Sequence, residues 1–189
     1  GKKTIDLGAT LQNVVSKVQD MVKSGKVPDS YQCVQFVRDV VKDLPTGLYT
    51  LQDKINKLVK SKNSIEAPEP GAAVIINTGQ PAGHIALVTS KDDQARQFTV
   101  AEFNYKKGQY TTRTISYDDP KIEGYWKSPN IQTSGRNDPS VKKYYDQLAL
   151  TTTKMSPKTK QLKEQELQSF IDSGDAQGAQ QYVDKVAYD

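Results

Sequence analysis

The chain reads as an α+β domain built on an antiparallel sheet, and three observations predict it. Helical periodicity runs from Leu11 to Val59, short apolar runs and period-two alternation replace it from Ala72 to Lys127, and turn residues separate those runs. Helices come first and strands afterwards, in the order expected of N-terminal helices packed on a sheet of about five strands.

In the first helix Leu11, Val14, Val15, Val18, Met21 and Val22 recur at helical spacing until Gly25 and Pro28 stop the pattern. A second helix is expected after Pro28-Asp29-Ser30, with Ser30 as N-cap. It continues through Cys33, Phe36, Val37, Val40, Val41 and Leu44 until Pro45 and Gly47 end it. Cys33 then lies in the first turn. A third, shorter helix follows Thr50, with Asp53 as its capping-box partner and Leu51, Ile55, Leu58 and Val59 as its apolar face.

From Ala67-Pro68-Glu69-Pro70-Gly71 the period changes. Ala72 to Asn77 is a nearly continuous apolar run of the buried-strand kind, and the loop Thr78-Gly79-Gln80-Pro81-Ala82-Gly83 leads into a second strand, His84 to Ser90. After a turn at Lys91-Asp92-Asp93-Gln94 comes a third strand, Arg96 to Tyr105. The turn Lys106-Lys107-Gly108-Gln109 precedes a fourth, Tyr110 to Tyr117, and Ile122 to Lys127 is a fifth.

A Ser/Gly/Asn-rich stretch, Ile131 to Asp138, reads as a linker, so residues 1–129 are expected to form the main domain and residues 130–189 a linker and helical extension. Three helical patterns follow: Val141, Tyr144, Tyr145, Leu148; then Ser156-Pro157 with Leu162, Leu167, Phe170, Ile171; then Asp175 with Ala179, Tyr182, Val183, Val186. Gly174 and Gly178 weaken the last, and the tail's apolar content is low, so it is expected to pack on the main domain or on a partner. Tyr144, Tyr145, Tyr182 and Tyr188 read as packing residues. The tail carries eight basic and eight acidic residues, which puts the whole net charge of +4 in residues 1–129.

Composition excludes several function classes. A charge of +4 spread over 26 basic and 22 acidic residues is too diffuse for a nucleic-acid footprint, and the helical tail carries neither a basic stripe nor aromatic sugar-binding repeats. No apolar run is long enough to cross a bilayer. Gly1-Lys2-Lys3-Thr4-Ile5-Asp6 lacks the apolar stretch of a signal peptide, and a start at Gly leaves open a processed form or a segment of something longer. One Cys and one His exclude an internal disulfide and a Cys/His zinc site of four ligands. Any chemistry that needs an imidazole must use His84.

Cys33 near a helix N-terminus has a nucleophile's address, because unsatisfied backbone N–H groups and the helix dipole favour an anion there. It also shares a stripe with Phe36, Val37 and Val40, which taken alone favours a buried core cysteine. His84, opening a strand straight after a Gly/Pro loop, is expected to sit at the sheet's end, where a base has access to substrate; a half-buried His with one hydrogen bond has the same address. On the third strand, alternation puts Phe98, Val100, Glu102 and Asn104 on one face and Ala101, Phe103 and Tyr105 on the other. A carboxylate and an amide continuing an apolar face need partners, unless the strand merely emerges into solvent there. If the turn at Lys91 to Arg96 pairs the strands antiparallel, His84 lies near Glu102 to Asn104, and a thiol, an imidazole and an orienting polar group come within reach of one site.

Tyr31-Gln32-Cys33-Val34-Gln35-Phe36-Val37 on an early helix, Pro68-Glu69-Pro70-Gly71-Ala72-Ala73-Val74 leading to Gly83-His84-Ile85-Ala86-Leu87-Val88, and Val100-Ala101-Glu102-Phe103-Asn104 resemble the CHAP family. These are cysteine, histidine-dependent amidohydrolases/peptidases of the NlpC-like, papain-fold superfamily that cut bacterial peptidoglycan. The resemblance covers about residues 10–128 and includes Gly124-Tyr125-Trp126, like the strand that closes such domains.

The resemblance implies a papain-like fold with Cys33 as nucleophile, His84 as general base and then acid, Glu102 orienting the imidazole and Asn104 as a fourth, assisting residue. Backbone N–H at Cys33, helped by Gln32, would stabilise the oxyanion. No cofactor and no metal is implied. Only Asp29 stands ahead of the Cys where some relatives bind calcium, and Asp92-Asp93 and Asp118-Asp119 read as turn residues. Departures are Gln35-Phe36 after the Cys-Val pair and Tyr31 before Gln32-Cys33. The implied substrate is peptidoglycan, cut as an amidase or as an endopeptidase. The implied location is extracellular or in the cell wall, reached by secretion or phage delivery. Two further readings stand beside it: a non-catalytic CHAP-fold module of a phage or secretion assembly, and a thiol hydrolase of the NlpC or transglutaminase kind with a non-wall substrate. Glu-x-Asn after the His strand fits CHAP better. His84 working as a neutral base would lose activity below about pH 6, unless an ion pair with the thiolate shifts it.

Overall fold

Strand β1 (Ile5–Asp6) runs straight into helix α1 (Leu7–Ser24), where the Asp6 side chain caps the Ala9 N–H at 3.2 Å and the Gly25 N–H closes the far end on the Met21 and Val22 carbonyls. In this computed structural model, which describes residues 4–132, 141–172 and 175–188, Leu7, Leu11 and Val18 of α1 are buried and its polar side faces solvent.

The second helix differs from expectation at both ends. Helix α2 spans Cys33–Val40, and its N-cap is Gln32, in extended conformation, not Ser30. The cause is a turn that closes first: Tyr31 N–H bonds the Pro28 carbonyl at 2.9 Å, and the Gln32 amide folds back on the Asp29 carbonyl at 3.0 Å. Cys33 thus becomes the first helical residue. At the other end the chain leaves the helix at Val41 and buries Val41, Leu44 and Leu48 as irregular backbone, fixed by Arg38 donating to the Pro45 carbonyl at 2.8 Å.

Helix α3 (Leu51–Lys54) carries the expected capping box between Thr50 and Asp53. It continues into a π-helical turn, Ile55–Val59, which the apolar spacing did not foretell. That turn buries Leu58 and lays Val59 against Gly124, where a Cβ would sit 2.7 Å from Val59 Cγ1.

The strands that follow are β2 (Ser64–Ile65), β3 (Ala73–Ile76), β4 (His84–Asp92), β5 (Gln97–Phe103), β6 (Tyr110–Ser116) and β7 (Ile122–Trp126). They form one antiparallel sheet in the order β2-β7-β3-β4-β5-β6. The sheet has six strands where about five are expected, because β2 is only two residues long and shows no alternation to read. A separate parallel pair joins β1 to β8 (Ile131–Gln132).

Period two divides the sheet into two apolar faces. Ala73, Ile75, Ile85, Leu87, Ala101 and Phe103 pack against α1, α2 and the α3 region; Ala72, Val74, Ala86, Val88, Phe98, Val100 and Ile115 form the opposite cluster. His84, Glu102 and Arg113 continue that second face beyond Ala86, Val100 and Ile115, so the sheet's own alternation delivers three polar groups to one end.

Helices α4 (Lys142–Thr151), α5 (Pro157–Asp172) and α6 (Ala176–Tyr188) bury Tyr144, Tyr145, Leu148, Leu167, Ala179, Val183 and Val186 in a cluster of their own. Tyr182 packs on Phe170, whereas Tyr188 is exposed. Asp175 caps α6 through the Gly178 N–H at 2.7 Å and also accepts from Gln94, in the β4–β5 turn, at 3.1 Å. Of the expected linker, residues 133–138 lie outside the described residues, as does Gly174.

Candidate active site

Three elements bring the site together at one end of the sheet. Helix α2 presents Cys33 at its first position, β4 opens on His84, and β5 brings Glu102 near its end. The β4–β5 register pairs Leu87 with Ala101; continued by one step it sets Glu102 opposite Ala86 and diagonal to His84. The imidazole Nε2 and Glu102 Oε1 are 2.8 Å apart, and the two residues are 4% and 0% exposed. With Nε2 taken by the carboxylate, Nδ1 is the nitrogen left for the thiol, and the Cys33 thiol and the His84 ring shift each other's protonation.

Opposing effects act on each group, and their balance decides its charge. Burial pushes the Cys33 thiol up, but the hydrogen bond and charge of His84, the Ile85 N–H and the Lys54 ammonium outweigh it, leaving the thiol below its ordinary value. Burial likewise pulls the imidazole down, and its bonds and charges with Cys33 and Glu102 outweigh that and hold it above its ordinary value. For Glu102 burial is again outweighed, here by His84 and Arg113, and its carboxyl lies below the usual range. All three directions favour the same state: thiolate, imidazolium, carboxylate.

Arg113 was not foreseen. Its Nε donates to Glu102 Oε2 at 2.7 Å, beside Thr111 Oγ1 at 3.3 Å. The guanidinium carbon lies 3.8 Å from the centroid of the Tyr105 ring, and among the described residues Arg113 Nη2 has no hydrogen-bond partner. Tyr105 is 47% exposed, with its ring centroid 5.8 Å from that of His84. A signal for Arg113 and Thr111 was present: a hairpin turned at Lys106 to Gln109 puts alternate residues of the fourth strand on the face of Glu102.

Asn104 and Gln32 meet each other, and neither is hydrogen-bonded to the imidazole. Asn104 takes a left-handed backbone, φ +69°, at the end of β5. From there its Nδ2 donates to Gln32 Oε1 at 2.9 Å and its Oδ1 accepts the Gly108 N–H at 2.7 Å. Gln32 is thereby held on two sides immediately before the Cys33 helix. Among the described residues no three His, Cys, Asp or Glu side chains gather as a metal cluster, and no helix is long and apolar enough to cross a membrane.

Residues 22–104 match the family model of the CHAP domain, a span that holds Gln32, Cys33, His84 and Glu102 and ends at Asn104. CHAP domains are in general amidohydrolases or peptidases, and the α+β fold with its antiparallel sheet is consistent with the match. Among solved structures, "The crystal structure of Ly7917" is similar over 64% of this chain and 63% of that one, with 19% identity and a TM-score of 0.44; this chain thus spans less than two thirds of that protein. No curated protein matches the chain.

Proposed function

We propose that this chain, which carries a CHAP domain across residues 22–104, is a peptidoglycan hydrolase that cleaves an amide or peptide bond of the bacterial wall through a Cys33 thioester. The observation that carries the reading is the gathering of Cys33, His84 and Glu102 at one end of the sheet, with His84 Nε2 2.8 Å from Glu102 Oε1 and Cys33 at a helix N-terminus that favours negative charge on sulfur.

In the first half-reaction the Cys33 thiolate adds to the carbonyl carbon of the scissile bond. The oxyanion that forms is met by the backbone N–H at the start of α2 and by the Gln32 amide, which Asp29 and Asn104 hold in place. As the C–N bond breaks, the imidazolium of His84 gives its proton to the departing amine. Neutral His84 then takes a proton from water, the resulting hydroxide equivalent adds to the thioester, and Cys33 leaves as thiolate. Glu102 keeps the ring oriented and its positive form stabilised throughout. Residues 1–129 are the catalytic unit in this reading and residues 130–189 a helical extension. The place of action is the cell wall.

The test is release of soluble fragments from purified peptidoglycans of several stem-peptide types by wild type and Cys33→Ala, with mass spectrometry of the products. Fragments from wild type alone support the reading and name the bond, either the amide to the muramic acid or one within the peptides. A folded wild type that releases nothing from any wall overturns it in favour of a binding module or a thiol enzyme acting elsewhere.

A further inference from the structure

We infer that Lys54 is a positioning residue of the thiol site: its buried ammonium braces the loop that delivers His84, and its positive charge favours a negative charge on Cys33. The inference rests on the reading of Cys33 as nucleophile.

Lys54 is 1% exposed, a burial that lysine side chains almost never show without a partner. Its Nζ donates to the Leu48 carbonyl at 3.1 Å and to the Ala82 carbonyl at 2.7 Å, and among the described residues it forms no ion pair with Asp or Glu. The adjacent carboxylate, Asp53, is turned away to cap α3 through the Tyr49 and Thr50 N–H groups. A buried ammonium that meets only carbonyl dipoles is costly, and burial accordingly pulls the Lys54 pKa down. What pushes it back up is charge on Cys33, followed by Asp53; the same attraction acts in reverse on the thiol. Lys54 and Cys33 each stabilise the other's charged form.

The contacts of α3 give this cation a mechanical role as well. Three successive residues lead into His84, and α3 grips each of them. Leu51 N–H bonds the Pro81 carbonyl at 2.9 Å, Lys54 Nζ takes the Ala82 carbonyl, and Gly83 lies under the Leu51 side chain. The Leu48 carbonyl ties the same ammonium to the segment before α3. Lys54 thus braces the segment that delivers the base, and its charge adds to the effects that favour the thiolate. Its place on the stripe of Leu51, Ile55 and Leu58 is the sequence signal: a lysine at a core position of an otherwise apolar helical face.

The groups that face the thiol are His84 and the Ile85 N–H from β4 and Lys54 from α3, with Glu102 and Arg113 acting through the imidazole. Because Cys33 is the chain's single cysteine, the pH dependence of its alkylation by iodoacetamide reports that thiol alone, without any wall substrate. Wild type, Lys54→Gln, Lys54→Met and Lys54→Arg are compared, with folding checked by circular dichroism. The expected result is a midpoint raised by about one pH unit or more in Lys54→Gln and Lys54→Met, a tenfold loss of thiolate below the midpoint, and recovery toward wild type in Lys54→Arg. A folded Lys54→Gln or Lys54→Met with the wild-type midpoint overturns the inference. So does failure of both to fold, which makes Lys54 a structural brace only. If wild type itself shows an ordinary thiol midpoint and releases no wall fragments, the nucleophile reading fails instead; a lowered wild-type midpoint that does not respond to Lys54 sinks the inference alone.

Discussion

Arg113 holds the Glu102 oxygen that His84 leaves free: Nε to Oε2 is 2.7 Å, while Oε1 lies 2.8 Å from His84 Nε2. A fully buried carboxylate keeps its charge here because each oxygen has its own cationic partner, and the guanidinium is in turn covered by the Tyr105 ring. The imidazole is oriented by Glu102, and Glu102 is oriented by Arg113.

Replacing Arg113 with Met leaves a buried carboxylate short of a charged donor. The expected cost is about 1–3 kcal/mol of stability, with activity lowered about tenfold or more because the imidazolium loses part of its support. Arg113→Lys restores the charge but not the planar guanidinium that lies on the Tyr105 ring, and is expected to recover only part of both. Thermal melts and rates of wall-fragment release across pH check this; a wild-type profile in Arg113→Met would refute the orienting role.

The pH profile follows from the opposite directions of the two reacting groups. With the thiol lowered and the imidazole raised, the thiolate–imidazolium pair exists between the two, and the pair titrates as a unit. Activity is expected to fall on the acid side as the thiolate is protonated, and on the alkaline side as the imidazolium loses the proton it must give the leaving amine. The acid limb therefore belongs to Cys33, where a neutral-base mechanism would assign it to His84. Alkylation of Cys33 should trace the same acid limb. A hydrolysis profile with no acid limb, or one that departs from the alkylation profile, argues against the ion pair.

Stability against acid carries the sign of Glu102. Its folded-state pKa is lowered, so its contribution is present in full above the ordinary carboxylate value and is lost as the pH falls through the folded one. The stability difference between wild type and Glu102→Gln is expected to be largest at neutral pH and to shrink below about pH 4. Denaturant melts of both proteins at a series of pH values decide it, and a difference that does not change with pH would count against a charged Glu102.

Cys33→Ala is expected to abolish hydrolysis and to change stability by no more than about 1 kcal/mol, since it removes one half-buried sulfur from the first position of a helix. His84→Ala is expected to lower the rate by about 10²–10⁴-fold and to raise the alkylation midpoint of Cys33. Wall digestion and thermal melts read both; hydrolysis retained by Cys33→Ala refutes the nucleophile.

What was legible in the sequence was the part set by period. Alternation along β5 puts Glu102 on the face of Val100, and the antiparallel turn brings it to His84, 2.8 Å from Nε2. Asn104 shares that parity, but the left-handed backbone at φ +69° turns it out of the strand and onto Gln32, a change that alternation does not contain. Ser30 looked like a cap by residue type and lost to the Pro28–Tyr31 turn, which is a competition between two local hydrogen-bond patterns. Lys54 shows in the sequence as a lysine on an apolar stripe, but what it binds does not. Its partners Leu48 and Ala82 are backbone carbonyls far apart in the chain, and carbonyls leave no signature in side-chain pattern.

Gly83 is the position where backbone conformation bears most directly on His84. It takes a left-handed φ of +62°, and a Cβ there would lie 2.8 Å from Leu51 Cδ1 and 3.2 Å from the Ile76 carbonyl oxygen. An alanine at this point adds a conformational cost of about 1–2 kcal/mol to a contact that only movement of α3 or of the loop can relieve. Such movement would loosen the hold of Leu51 and Lys54 on Pro81 and Ala82, and with it the placing of the imidazole against Cys33. Gly83→Ala is therefore expected to melt lower by about 1–3 kcal/mol and to lose activity out of proportion, with a raised Cys33 alkylation midpoint as the sign that His84 has shifted. Gly79→Ala serves as the control, because that glycine shares the positive φ but meets nothing within 4 Å. Equal effects on the midpoint in the two variants would mean that backbone strain alone, and not the grip of α3 on the loop, governs the site.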